Sequence, residues 1–160
     1  MSNLIKRIDG SVTVETRNFM IMDDDGATNR PDDAISMDEL VVQLNTSDEW
    51  FATTANLALI ESGDTWHVAD VALEWWDDEP PADNEAWTKS HTATMYSSSG
   101  KLRLVQTLGS QSRRALDLKE KAITWSVRAS VRPGPGRRKV SGKPPRGIES
   151  YRFQFWRSVT

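Results

Sequence analysis

The sequence predicts an all-β protein, a two-layer antiparallel β-sandwich of about seven or eight strands. Three observations carry that prediction. In Ala122–Arg132, residues Ile123, Trp125, Val127, Ala129 and Val131 alternate strictly with Thr124, Ser126, Arg128, Ser130 and Arg132. This period of two marks a strand with one face in the core and one in water. The alternation returns late in the sequence, where Tyr151, Phe153 and Phe155 intersperse with Arg152, Gln154 and Trp156. Between such runs, turn-forming Gly, Pro, Asp and Ser recur at short spacing, as a sandwich of short strands requires.

Taken in order, Ser11–Met22 reads as a first strand rich in β-branched residues. Asp23, Asp24, Asp25 and Gly26 end it, because Asp-Gly supplies the positive φ of a tight turn. An acidic loop continues through Asn29, Arg30, Pro31, Asp32 and Asp33. Ala34–Leu44 fits a short helix or a strand. Phe51–Glu61 and Trp66–Trp76 read as consecutive strands joined at Ser62, Gly63 and Asp64. A helix over Asp48–Leu59, capped by Thr46 or Ser47, is the alternative for the first of them. Asp77, Asp78 and Glu79 open a second acidic loop running to residue 85, where Pro80 and Pro81 exclude a central strand. Trp87–Ser97 and Leu102–Thr107 form a hairpin about Ser97–Gly100. Gly109–Lys121 is polar, with Leu116 and Leu118 as anchors. The two alternating strands then close a second hairpin across a basic, Pro/Gly-rich loop at 133–147.

A chain of 160 residues is expected to form one domain, residues 1–160, and to bury roughly 70% of its unfolded surface. It has no cysteine, which excludes disulfides and thiolate chemistry. No run approaches the roughly 18 apolar residues of a spanning helix, and the first ten residues lack the apolar core of a secretory signal. A cytoplasmic location is the expectation. The net charge of −3 conceals an asymmetry: residues 1–100 carry 5 Lys/Arg against 20 Asp/Glu, and residues 101–160 carry 15 against 3. Halves of charge −15 and +12 either neutralise each other side by side or present surfaces of opposite sign.

The residues offer little for catalysis. His67 and His91 are the two histidines, each within a strand pattern and neither in HExxH or HxH spacing. Asp23, Asp24, Asp25 and Asn29 lack EF-hand spacing, since the twelfth position from Asp23 is Ala34 rather than a bidentate Glu. Asp77, Asp78 and Glu79 sit at an exposed bend, not in a cleft that would set two carboxyls about 5 or 6.5–9.5 Å apart for glycoside hydrolysis. The expectation is a non-enzymatic protein with no metal and no cofactor. Arg132, Arg137, Arg138, Lys139, Lys143 and Arg146 concentrate positive charge that could contact phosphates, but no aromatic residue in that loop could stack on bases. Seven tryptophans admit a sugar-stacking reading. Trp125 belongs to the core set, and of the adjacent Trp75 and Trp76 one must face away from the other.

The order of segments in the second half resembles a known group. Trp87 opens a strand, a Ser-Gly turn leads to Lys101-Leu-Arg-Leu-Val105, and Leu116-Asp-Leu118 follows. Then come Val127-Arg-Ala-Ser-Val-Arg132 and Glu149-Ser-Tyr-Arg-Phe-Gln-Phe-Trp156. This is similar to small actinobacterial proteins ending in Glu-x-Tyr-x-x-Gln-Phe-Trp, and through them to the competence protein J type of β-sandwich, a nuclease-inhibitor or immunity-like module. The chain departs from the group in its long basic loop and at Arg157, where the group usually has Pro. The resemblance implies an inhibitor or immunity protein, here for a basic toxin or nuclease. Asp23, Asp24, Asp25, Asp32, Asp33, Asp77, Asp78 and Glu79 would steer that partner and mimic phosphate, with Trp76 and Trp87 as aromatic anchors. A carbohydrate- or ligand-binding module using exposed Trp is the first alternative, and nucleic-acid contact through the basic loop the second.

Overall fold

The computed structural model describes residues 1–82, 87–107, 109–136, 138–140 (backbone only) and 142–159. Strands β1 (Leu4–Glu15) and β2 (Asn18–Asp23) precede helix α1 (Met37–Asn45). The strands β3 (Phe51–Thr54), β4 (Leu57–Glu61), β5 (Trp66–Trp76), β6 (Lys89–Ser97), β7 (Lys101–Gln106) and β8 (Leu116–Asp117) come next. β9 (Ile123–Pro133), β10 (Arg138–Val140) and β11 (Lys143–Arg157) complete the order. The protein is all-β apart from α1. No helix is long and apolar enough to cross a membrane among the described residues.

The expected two-layer antiparallel sandwich is corrected to one continuous sheet curled into a nearly closed barrel. Its main path runs β3-β4-β2-β1-β5-β11-β9-β6. Two features produce the curl. β1 and β2 share a single pair, Glu15↔Asn18, after which β2 diverges to lie between β4 and β7. β11 inserts between β5 and β9, parallel to the first and antiparallel to the second. The ends then approach each other, where Thr53 Oγ1 donates to the Thr94 carbonyl at 2.6 Å and Asn56 N donates to the Tyr96 carbonyl at 2.8 Å.

Several elements differ from the sequence reading for local reasons. Ser11–Met22 is not one strand, because Thr16 and Arg17 both take positive φ (54° and 71°) and turn the chain as a type I′ hairpin does. Phe51–Glu61 is likewise two strands, reversed at Ala55-Asn56 with Asn56 at φ 65°. The ambiguous Ala34–Leu44 region is helical from Met37. Ser36 caps it by accepting from Glu39 N at 3.1 Å, a capping-box arrangement. The basic loop is partly strand: Arg138↔Arg146 and Val140↔Lys143 pair β10 with the start of β11. Gly134 N donates to the Ile148 carbonyl and Gly136 N to the Gly147 carbonyl, each at 2.8 Å.

The barrel interior holds the main core. Phe19 meets Tyr151 edge-on at 5.0 Å and Phe153 at 6.3 Å, beside buried Trp125, Val127, Ala129 and Phe155. Burial of each large side chain contributes about 1.5–3 kcal/mol. A second cluster lies outside the sheet, where Leu40 and Leu44 of α1 cover Met20, Leu57, Leu59 and Val105. β11 is central and buried on both faces, so Arg152, Gln154 and Trp156 are 9%, 2% and 4% exposed rather than in water. A polar row in direct register covers that outer face. Arg7 Nη1 donates to Glu74 Oε2 at 2.9 Å, and Gln154 Nε2 donates to Glu74 Oε1 at 3.1 Å. Arg128 stacks over Trp156 at 5.6 Å.

Candidate functional site

The register assigns each turn to an end of the barrel. Thr16-Arg17, Ser62–Asp64 and Pro133 lie at what we call the lower end. Asp23, Asp77 and the Ser97–Gly100 turn lie at the upper end. Both acidic loops therefore leave the same end of the barrel, although their roles differ residue by residue.

Asp23 is withdrawn from the surface. It is 2% exposed. Its Oδ1 accepts from Asp25 N (2.8 Å) and Ser99 Oγ (2.6 Å), and its Oδ2 from Ser97 Oγ (2.5 Å) and Ser99 N (3.0 Å). It fastens β2 to the Ser97–Gly100 turn, so the expectation of a partner-facing carboxylate is corrected here. Asp24 pairs with Arg103 at 2.7 Å. Asp25 accepts from Ser98 Oγ at 2.7 Å and Asn29 Nδ2 at 3.2 Å; these bonds, with Lys121 nearby, hold its carboxyl below the usual range. Asn56 stitches the loop from beneath through the Gly26 and Thr28 carbonyls. Asp32 and Asp33 are exposed.

In the second loop Asp77 accepts from Asn3 N at 2.7 Å and Asn3 Nδ2 at 3.1 Å, which keeps its carboxyl below the usual range. Asp78 accepts from Glu79 N at 2.8 Å, and Asp77, Asp78 and Glu79 are exposed. Residues 83–85 of this loop lie outside the described residues. No three His, Asp or Glu side chains gather as a metal site among the described residues.

Trp75 packs against the core, and Trp76, half-buried on the outer face, donates its indole N–H to Glu74 Oε1 at 2.8 Å. Trp87 is stacked by two guanidinium groups, Arg132 at 4.5 Å and Arg152 at 4.6 Å, which occupy ring surface a sugar would need. Arg132 is thus drawn from the basic loop onto the outer face. Lys143 and Arg146 are exposed on the β10–β11 hairpin. Arg137 lies outside the described residues, and the side chains of Arg138 and Lys139 lie outside the described ones.

At the lower end the barrel mouth is a cavity of about 280 Å³. Trp50 and Tyr151 wall it, with ring centroids 6.1 Å apart, and Glu61 and Glu149 contribute carboxylates. Glu149 Oε1 accepts from Ser62 Oγ (2.5 Å), Tyr151 OH (2.9 Å) and Gly63 N (3.2 Å). Burial, with the Glu149 charge behind it, pushes the Tyr151 phenol well up, so it stays a donor. Gly63 suits this approach, since a Cβ there would stand 3.0 Å from Glu149 Oε2 and make the carboxylate shift.

Ser62, His67 and Glu149 are the residue types of a nucleophile triad, but their order is wrong for one. His67 Nε2 lies 2.7 Å from Ser62 Oγ, and Ser62 sits between His and Glu instead of His between Ser and Glu. His67 Nε2 also lies 3.5 Å from Glu149 Oε1, so the three side chains form one compact polar cluster. Ser62 and His67 are 2% and 0% exposed. The network braces the mouth.

The chain has the fold of two solved structures. One is ComJ from Bacillus subtilis, the inhibitor of the DNA-degrading activity of NucA, at TM-score 0.59 and 11% identity over 99% of both chains. The other is crocagin biosynthetic gene J, at TM-score 0.62 and 11% identity over 96% of this chain and 98% of that one. No protein-family model and no curated protein matches the sequence. At such identity the likeness establishes the fold alone, and in fold it agrees with the competence protein J resemblance read from the second half of the sequence. Glu149 and Tyr151 of that motif are the pair that organises the mouth. Sequence reasoning missed the mouth because its parts are 5 and 87 residues apart; the Ser62-x4-His67 spacing carries no recognised motif.

Proposed function

We propose that this chain is a non-enzymatic protein-binding module that inhibits a basic partner, with the upper end of the barrel as its first point of contact. The observation that carries the reading is the gathering of two acidic loops at one end, with Asp32, Asp33, Asp77, Asp78 and Glu79 exposed. Carboxylates fixed on a rigid barrel offer a pre-ordered anionic surface that raises association rates with a basic partner. The whole-chain likeness to the fold of ComJ, itself an inhibitor of NucA, supports the same reading.

The test is capture of a partner from lysate at low salt by the immobilised protein, with elution along a salt gradient. A basic protein eluting at moderate salt is the expected result. Its elution should move to lower salt for a variant combining Asp32→Asn, Asp33→Asn, Asp78→Asn and Glu79→Gln. An unchanged elution position in that variant refutes the assignment of the surface.

A further inference from the structure

The seam between β3 and β6 is hydrogen-bonded in its upper half, and below that Phe51 meets His91 edge-on at 6.1 Å. The joining bonds end at Thr53 and Thr94. Carbonyls along a strand alternate sides, so Thr92 and Ser90 turn theirs toward the same seam as Thr94. No strand pairs with β6 on that side among the described residues. Trp50 and Lys89, at the lower ends of this seam, both line the mouth.

Three features of that mouth share one chemical preference. Half-buried Trp50 presents an aromatic wall backed by the buried Tyr151 ring, inclined to it at 41°, and an indole π face attracts cations. Glu149 Oε1 is saturated with donors, while Oε2 receives, among the described residues, a long contact from Gly63 N at 3.4 Å, which leaves it acceptor capacity. Glu61 adds a second carboxylate at the rim. Of the cations lining the cavity, Arg132 is turned onto Trp87 and Lys89 is exposed.

We infer that the mouth is a binding site for one organic cation, the guanidinium or ammonium head of an Arg or Lys side chain presented by the partner. The inference rests on the protein-binding reading above and gives it a specificity pocket distinct from the steering loops. A guanidinium stacks on an aromatic face and bonds a carboxylate through directed N–H groups. Arg is also enriched among the residues that dominate interfaces.

The test titrates the full chain with N-acetyl-arginine methylamide and, separately, with its neutral isostere N-acetyl-citrulline methylamide. The readout is the indole N–H signal of Trp50, assigned with Trp50→Phe. The arginine probe should shift that signal saturably, and the citrulline probe should bind about ten-fold more weakly or worse, as loss of a charge-assisted bond dictates. Glu149→Gln should weaken the arginine probe by about the same factor. That variant also loosens the Ser62 and Gly63 contacts, so the two-probe comparison on the unaltered protein decides the matter. Equal responses to both probes, or no saturable shift up to about 100 mM, well above weak millimolar affinity, overturn the proposal. If the salt-sensitive partner is still captured, only the mouth is refuted. If the probe binds at Trp50 and no partner is captured, the cation site stands and the inhibitor reading falls.

Discussion

Replacing Asp23 by Asn separates supporting aspartates from presented ones within a single acidic run. The native carboxylate accepts four hydrogen bonds, two at each oxygen. In Asp23→Asn one oxygen becomes an NH2 that faces two donors. The Ser97 and Ser99 hydroxyls can rotate away, but a backbone N–H, Ser99 N or Asp25 N, is left opposed. Bonds to a charged group are worth about 1.5–3 kcal/mol each, and an unsatisfied buried donor costs about 1–3 kcal/mol. The expected loss is about 3 kcal/mol. With a urea slope near 2 kcal/mol/M, the unfolding midpoint should fall by about 1.5 M. Asp24→Asn, which removes a half-exposed pair with Arg103, should cost under about 1 kcal/mol. Asp32→Asn should cost close to nothing. Urea unfolding of the three variants side by side checks this. A midpoint for Asp23→Asn within about 0.3 M of that for Asp24→Asn would refute the assignment of Asp23 as the fastener of the upper end.

The Thr16-Arg17 turn holds two side chains at positive φ, a conformation costing roughly 1–2 kcal/mol per ordinary residue. Less about 1 kcal/mol of backbone entropy for the new Gly, Thr16→Asn with Arg17→Gly should gain about 1–3 kcal/mol and raise the thermal midpoint by about 2–12 °C, and an unchanged or lower midpoint counts against a type I′ turn. Asp77 gives a pH dependence whose sign follows from its depressed pKa. Its contribution is complete above the unfolded value near 3.9 and disappears as pH falls through the lower folded value. Asp77→Asn should lower the thermal midpoint near neutrality, with the deficit shrinking below about pH 4. A deficit constant from pH 7 to 2.5 would remove Asn3 as the cause.

The strands legible in the sequence were those whose two faces meet different surroundings. Ile123–Pro133 and Trp66–Trp76 keep near the expected bounds, and the Leu116 and Leu118 anchors are fully buried. What escaped had physical camouflage. The Thr16-Arg17 reversal uses neither Gly nor Asn, and Ala55-Asn56 lies inside an apolar run, so neither hairpin announces itself. Arg152, Gln154 and Trp156 look solvent-facing until Glu74, Arg128 and Trp87, brought in from other strands, cover them. Curl versus layering depends on β11 entering beside β5, a pairing across some 80 positions that no local pattern encodes. At the candidate site the acidic loops were visible as composition. The burial of Asp23 and the exposure of Asp32 and Asp33 were not, because neighbouring aspartates of identical chemistry meet different partners.

The position of β11 also has a temporal side. Residues 143–157 are the last of the barrel to leave the ribosome, yet they fill the slot between β5 and β9. Until they arrive, both neighbouring strands present open, apolar edges of the kind that recruit other chains. The β1–β5 and β6–β9 ribbons can assemble during synthesis and meet through β2–β7 and the upper-end bonds, but the slot between β5 and β9 stays open. Closure is then a single late event of long sequence separation, slow by topology. Nascent chains stalled before Tyr151 should consequently depend on a chaperone to stay soluble, whereas the completed chain, once β11 has docked, should not.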